Sequence, residues 1–145
     1  MGIADILKAK NEAKAAKNLD EGLAFLEKNK LETGVVSLPS GLQYKIVDNA
    51  EGTQRASTSS SVTCHYEGSL LNGKVFDSSF KRKAPATFPL NRVIQGWQEG
   101  IPLMPIGSTF EFYIPSDLAY GNRQVGADIP PNSTLIFKVA LLSIQ

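Results

Sequence analysis

Residues His65 to Phe80 read HYEGSLLNGKVFDSSF. Asn72-Gly73 stands between the apolar flanks Leu70-Leu71 and Val75-Phe76, which is the composition of a tight hairpin turn joining two antiparallel strands. The same stretch reads as one wall of a pocket, with two aromatic rings, a carboxylate and a cluster of hydroxyls (Tyr66, Phe76, Asp77 and the flanking serines). It contains no evident nucleophile, no metal-ligand spacing and no phosphate loop.

Outward from this hairpin the apolar period is two. VTCHYEG (Val62–Gly68) forms the incoming strand and LQYKIV (Leu42–Val47) alternates like an earlier, half-buried one. TFEFYIP (Thr109–Pro115) places Phe110, Phe112 and Ile114 on one face, and TLIFKVALLSI (Thr134–Ile144) does the same with Leu135, Phe137, Val139 and Leu141. VIQGWQEGI (Val93–Ile101) is a short helix candidate despite Gly96. NAEGTQRASTSSS (Asn49–Ser61) is a polar loop whose STSSS end has the composition of a flexible connector, and Pro115–Ser133 is a long loop. Many strands and one short helix predict an α+β domain, an antiparallel sheet packed on a helix.

Residues 1–32 differ in character. They lack proline and are rich in Ala, Leu, Lys, Glu and Asn. Ile3, Ile6, Leu7, Ala13, Ala16, Leu23 and Leu26 recur at three- and four-residue spacings, the period of one helical face. Such a helix, roughly 40 Å long at ~1.5 Å per residue, needs a partner surface, because isolated helices are marginal in water. Either its stripe lies on the following domain, or it is a stalk or dimerisation element. Gly34 and then LPSG (Leu38–Gly41) end it and start a turn. The division is therefore a helical arm over 1–32 and a domain over 33–145.

Composition excludes several functions. Lysine plus arginine number 15 and aspartate plus glutamate 14, a net charge of +1, which gives no electrostatic case for nucleic acid or an anionic membrane. No apolar run approaches the ~20 residues of a membrane span. The start, MGIADILKAK, lacks the order of a signal peptide, which points to the cytoplasm; the periplasm stays open if the native N-terminus is missing. A single cysteine, Cys64, excludes an intramolecular disulfide. Cys64 and His65 are neighbours on a strand and point to opposite faces, a poor nucleophile–base geometry. One His and one Cys are too few for a metal site. No second histidine serves as a base, no G-x-S-x-G appears, and no P-loop appears. No cofactor is called for. What remains is a set of aromatic and branched residues beside glycines and prolines: Tyr66, Phe76, Phe88, Val93, Ile94, Trp97, Tyr120, Ile129 and Phe137. Taken one at a time, these residues suit a core equally well. The long loop carrying Tyr120 and Pro130-Pro131 favours function.

Three segments, HYEGSLLNGKVFDSS, FPLNRVIQGWQEGIPLMPIGS and IPSDLAYGN followed by IPPNSTLIFKVALL, resemble the FK506-binding-protein (FKBP) family of peptidyl-prolyl cis–trans isomerases. The resemblance runs in chain order from about Leu38 to Gln145. GLQYKIV and EGLAFLEKNK are further similar to the bacterial FKBP22/Mip-like branch, in which a long helix leads from a dimerisation domain to the catalytic domain. The resemblance implies a twisted antiparallel sheet wrapped around one short helix, preceded here by the long N-terminal helix. It implies an apolar pocket with Trp97 as floor, walls of Tyr66, Phe76, Val93, Ile94 and Phe137, and Phe88 in a second layer. Tyr120 and Ile129 fall at the two ends of an overhanging loop, and Asp77 is the pocket carboxylate held by Arg82. It also implies that Tyr66, Phe76, Asp77, Trp97, Tyr120 and Phe137 carry catalysis, and that the backbone N–H of Ile94 and the hydroxyl of Tyr120 donate to ligand carbonyls. The implied activity is rotation of X-Pro bonds during folding; a non-catalytic chaperone or peptide-binding module on the same fold is the alternative. The implied partners are proline-containing unfolded chains, FK506- or rapamycin-like inhibitors, and a second copy through the N-terminal helix. Small members of the family have another aromatic where Ala86 stands and often a histidine where Val125 stands.

Overall fold

The computed structural model of the chain describes residues 2–52 and 54–145. Met1 and Thr53, which fall in the expected arm and the expected loop, lie outside the described residues. Helix α1 runs Ile3–Asn29. The strands are β1 (Val35–Ser37), β2 (Gln43–Asp48), β3 (Ser61–Leu70), β4 (Val75–Ser78), β5 (Ala86–Pro89), β6 (Thr109–Ile114) and β7 (Leu135–Ile144), with short helices α2 (Ser79–Arg82) and α3 (Gln95–Gly100) between them.

All pairings are antiparallel and the order is β1-β2-β6-β7-β3-β4, with β5 also on β3. The long strands β3 and β7 pair along their whole length. The outer edge of β3 is shared: Ser61–Cys64 pair with β5 and Glu67–Ser69 with β4. The α+β expectation therefore holds, and so do the apolar faces of the late strands. Leu135, Val139 and Leu141 are fully buried, as are Phe112 and Ile114.

Helix α3 crosses this inner face. A Cβ at Gly96 would stand 2.7 Å from Ile114, and one at Gly100 would stand 2.5 Å from Phe112. The glycines that count against a helix by propensity are what lets its backbone touch β6. Tertiary approach thus overrides local preference.

Two strands escape the sequence reading. In β1 the segment is three residues long, and LPSG proves to be the turn that folds it onto β2, with Gly41 N–H donating to Leu38 O. Strand β5 lies next to Pro85 and includes Pro89; proline suits a sheet edge, which is where β5 lies. The STSSS segment is a hydrogen-bonded turn instead of a connector: Ser60 N–H donates to Ser57 O and Ser57 N–H to Ser60 Oγ.

The arm divides the stripe between the two readings. Ile3 is 77% exposed and Ile6, Leu7 and Leu23 are also exposed, whereas Leu26 is buried on the domain. The face that docks carries Ala15, Asn18, Gly22, Phe25, Leu26 and Asn29. Those positions also follow a helical period, and four of them, Ala15, Asn18, Gly22 and Asn29, are small or polar, which a count of apolar side chains does not see. At the helix end, buried Asn29 donates through Nδ2 to Gln43 Oε1, and Gln43 Nε2 donates to Leu26 O. Phe25 covers Tyr113 with ring centroids 6.0 Å apart, which buries the outer side of β6 as well.

Candidate functional site

Alternation on β3 turns Cys64 and Tyr66 inward and His65 outward. Burial pushes the Cys64 thiol up to about 12, so it stays protonated and unreactive. His65 Nδ1 lies 2.8 Å from Ser79 Oγ, a pairing that suggests an activated serine. Ser79, however, is fully buried and its hydroxyl is occupied by the N–H and C=O of Tyr66. It ties α2 to β3 and is closed to any substrate.

The hairpin returns Phe76 and Asp77 on β4. Ser78 then caps α2 by accepting from Lys81 N–H, and Lys83 ends it at φ 56°. One turn is enough to bring Arg82 back over Asp77. Tyr66 Oη donates to Asp77 Oδ2 at 2.5 Å, Arg82 Nη1 donates to Asp77 Oδ1, and Arg82 Nη2 donates to Tyr66 Oη at 3.1 Å. Burial alone would raise the Asp77 carboxyl. The hydrogen bonds from Tyr66 and Arg82, the Arg82 charge and a bond from the Ser78 backbone outweigh it, and the net position is below the ordinary value. Tyr66 is pushed up, first by burial and then by its bond to Asp77. Asp77 is thus an ionised, fully engaged carboxylate and is not poised as a base.

The opposite wall comes from the turn Leu90–Arg92, Val93, Ile94 and α3. Ile94 O accepts from Trp97 N–H and Gln98 N–H, and Gln98 Nε2 donates to Val93 O, which locks the entry to α3. Trp97, 4% exposed, is the floor. Phe137, Tyr66 and Phe88 stand nearly perpendicular to its indole, with centroids 5.2, 5.4 and 5.5 Å away. Among the described residues the buried indole N–H has no hydrogen-bond acceptor.

The result is an open, mainly apolar cavity of about 330 Å³ lined by Tyr66, Phe76, Asp77, Phe88, Arg92, Val93, Ile94, Trp97, Tyr120 and Phe137. Nine of the residues singled out from the sequence meet there. Arg82 stands behind the wall through Asp77. Ile129 does not reach the cavity: it is buried in the core and pairs with Val125 across the base of its loop. Phe88 lines the cavity itself instead of backing it. Ala86 and Val125 are not on the wall. Arg92 is on the wall although the sequence reading passed over it; its place immediately before Val93-Ile94 was the available signal. Among the described residues no cluster of His, Cys, Asp or Glu fits a metal ion.

Against known proteins, the FKBP-type peptidyl-prolyl cis-trans isomerase family matches residues 52–142, and the domain amino-terminal to FKBP-type peptidyl-prolyl isomerase matches residues 2–46. The chain is 52% identical over 132 residues to the outer membrane protein MIP of Legionella longbeachae, covering 91% of this chain and 56% of that protein. It is also 52% identical over 124 residues to the FKBP-type 22 kDa peptidyl-prolyl cis-trans isomerase of Escherichia coli, covering 86% of this chain and 60% of that one. The crystal structure of FkpA from Escherichia coli superposes with a TM-score of 0.90 at 40% identity, over 95% of this chain and 64% of that chain. The chain spans a little over half the length of these two curated relatives, 56% and 60%.

Proposed function

The chain belongs to the FKBP-type peptidyl-prolyl cis-trans isomerase family, and from that premise we propose that it accelerates rotation about X-Pro bonds in unfolded or partly folded polypeptides. The observation that carries this reading is a mainly apolar, aromatic-lined cavity whose one carboxylate is already neutralised by Tyr66 and Arg82. Such a site has no means to break a covalent bond, and the reaction needs none. A peptide bond resists rotation by ~18–20 kcal/mol because twisting destroys amide resonance, and X-Pro bonds isomerise over tens to hundreds of seconds. The planar amide is more dipolar than the twisted one. Transfer from water to an apolar pocket therefore disfavours the ground state relative to the transition state. In this mechanism the proline ring rests on Trp97 and the preceding carbonyl swings toward Phe76 and Asp77. Tyr120 and the Ile94 N–H hold the chain on the far side. Asp77 orients Tyr66 and Arg82. Lowering the barrier by ~5–8 kcal/mol corresponds to about 10⁴–10⁶-fold acceleration. FK506-like macrolides would compete for the same cavity.

In this reading residues 33–145 are the catalytic body and 1–32 an arm. The exposed Ile3, Ile6 and Leu7 support pairing of that arm with a second copy, which would place two sites on one substrate; sedimentation as a monomer at tens of micromolar overturns it. The cytoplasmic location expected from the sequence has no support among the relatives. One of them is named an outer membrane protein, which favours the alternative, the periplasm. Among the described residues no helix is long and apolar enough to cross a membrane.

The deciding experiment is cis-to-trans conversion of a short X-Pro peptide with and without FK506. Catalysed conversion blocked by the drug is the expected result. Drug binding without turnover would make the chain a non-catalytic binding module.

A further inference from the structure

The arm touches the body at the loop that carries Tyr120. Asn18 Nδ2 donates to Pro131 O at 3.1 Å, and Asn132 Nδ2 donates to Ala15 O at 3.1 Å. Each partner thus offers a side-chain amide to a backbone carbonyl of the other. Ala15 lies well inside α1, so its carbonyl uses the lone pair left over from the helical bond. One turn further on, α1 comes as near as its backbone allows: a Cβ at Gly22 would stand 2.2 Å from Thr134 Oγ1.

Asn132 is the junction. Its φ is 60°, a left-handed conformation in which asparagine is the best tolerated residue after glycine. That conformation lets its N–H donate to Gly121 O at 2.8 Å while its side chain reaches α1. Gly121 directly follows Tyr120. A short path therefore leads from the helix backbone through one asparagine to the residue next to Tyr120, which lines the cavity. Beside Tyr120 the other restraint is Gly121 N–H, which donates to Ser116 O at 2.8 Å. Farther out the loop is held weakly: residues 122–128 are exposed, and the isolated Val125–Ile129 bridge is joined by bonds from Arg123 N–H to Tyr120 O at 3.3 Å and from Gln124 Nε2 to Gly126 O at 3.0 Å. The ion pair of Lys74 with Asp128 at 3.1 Å has both side chains 54% exposed and counts for little.

We infer that α1 is a brace for the catalytic loop, and that Asn132, with Asn18, is a positioning residue that fixes Tyr120 at the cavity. The inference rests on the isomerase reading only for its consequence in turnover. The arm is then part of the site, because its rigidity sets where the far-side hydrogen-bond donor stands.

Asn132→Gly is the clean variant, since glycine keeps the left-handed backbone and removes only the side chain. In the full chain, Asn18→Ala combined with Asn132→Gly should speed amide hydrogen exchange across residues 119–133 about ten-fold, with β3 and β7 unchanged. It should lower kcat/KM on an X-Pro peptide about five-fold in the wild-type background and less than about two-fold on top of Tyr120→Phe, because both changes remove the same contact. Unchanged exchange in the loop overturns the brace. Equal losses in the two backgrounds overturn the route through Tyr120. Exchange is read without substrate, so a parent chain that turned over no X-Pro peptide would sink the proposed function and still leave the brace decided.

Discussion

The two walls of the cavity are built in different ways. On the hairpin side Tyr66, Asp77 and Arg82 saturate one another, with Tyr66 bonding to groups 11 and 16 residues away. One turn of chain and one turn of helix create that wall. On the other side stand Trp97, whose buried N–H lacks an acceptor, and Tyr120, on a loop anchored to a helix more than a hundred residues earlier. The closed wall can shape a substrate without bonding to it. The open wall has donors to give, the Tyr120 hydroxyl and the Ile94 N–H, and the placement of Tyr120 depends on distant parts of the chain. A pocket for rotating an amide needs both: a side that stays inert while a dipole fades, and a side that grips.

The largest effect expected is at the floor, where the walls meet. Trp97→Leu removes ring surface shared with Tyr66, Phe88 and Phe137. It should cost about 2 kcal/mol in stability by urea titration and more than ten-fold in kcat/KM. A variant of near wild-type turnover would show that the walls alone suffice. Next comes Asp77→Val, which breaks the self-saturated wall. Turnover should fall about ten-fold, because the Tyr66 hydroxyl and Arg82 lose their common acceptor and turn to the substrate or to water. Stability should change by only about 1 kcal/mol or less, since the Asp77 and Arg82 side chains are 39% and 49% exposed. Asp77→Asn, which keeps an acceptor, should fall between Asp77→Val and wild type; complete loss of turnover with intact drug binding would contradict an orienting role.

The smallest effect is expected from pH. Asp77 sits below and Tyr66 above its ordinary value. A depressed carboxyl stabilises the fold fully above its unfolded pKa of ~3.9, and that contribution is lost as pH falls through the lower folded value. A raised tyrosine ionises only above its ordinary ~10. Between those limits the hairpin wall keeps one protonation state. The kcat/KM profile should therefore be flat from about pH 5.5 to 8.5. A bell-shaped profile with a limb near neutrality would mean that a titrating group takes part, and the comparison of an inert wall with a gripping one would fail.

What was legible in the sequence follows the same division. The hairpin and the alternating faces of β3, β6 and β7 could be read because period-two burial and turn chemistry are local signals. That the aromatic set around Trp97 lines a cavity was implied by family resemblance. The closeness of Arg82 to Asp77 was readable only through family resemblance. Ile129 was assigned to the pocket although its apolar side chain suits a core or a pocket equally, and its burial in the core cluster decides which. Strand β5 hid behind its prolines.

The N-terminal helix shows where the boundary lies. Its existence follows from composition and period alone, because the helical hydrogen bonds are internal to the segment. Which face would dock did not follow. Ile3, Ile6, Leu7 and Leu23 remain exposed, and beside Phe25 and Leu26 the contact is made by Asn18, Gly22 and Asn29, whose partners Pro131, Thr134 and Gln43 are brought to them by the folded sheet. By itself, then, the sequence determined the strands β2, β3, β6 and β7, the turn between β3 and β4 and the long helix, and family resemblance added the residues of an aromatic cavity. Only the tertiary structure decided that Arg92 joins the cavity, that Ile129 leaves it, and that the helix reaches the Tyr120 loop. The physical reason is range. Local preferences and side-chain periodicity are written along the chain, whereas a hydrogen bond between polar groups over a hundred residues apart is specified by the positions that the rest of the fold imposes.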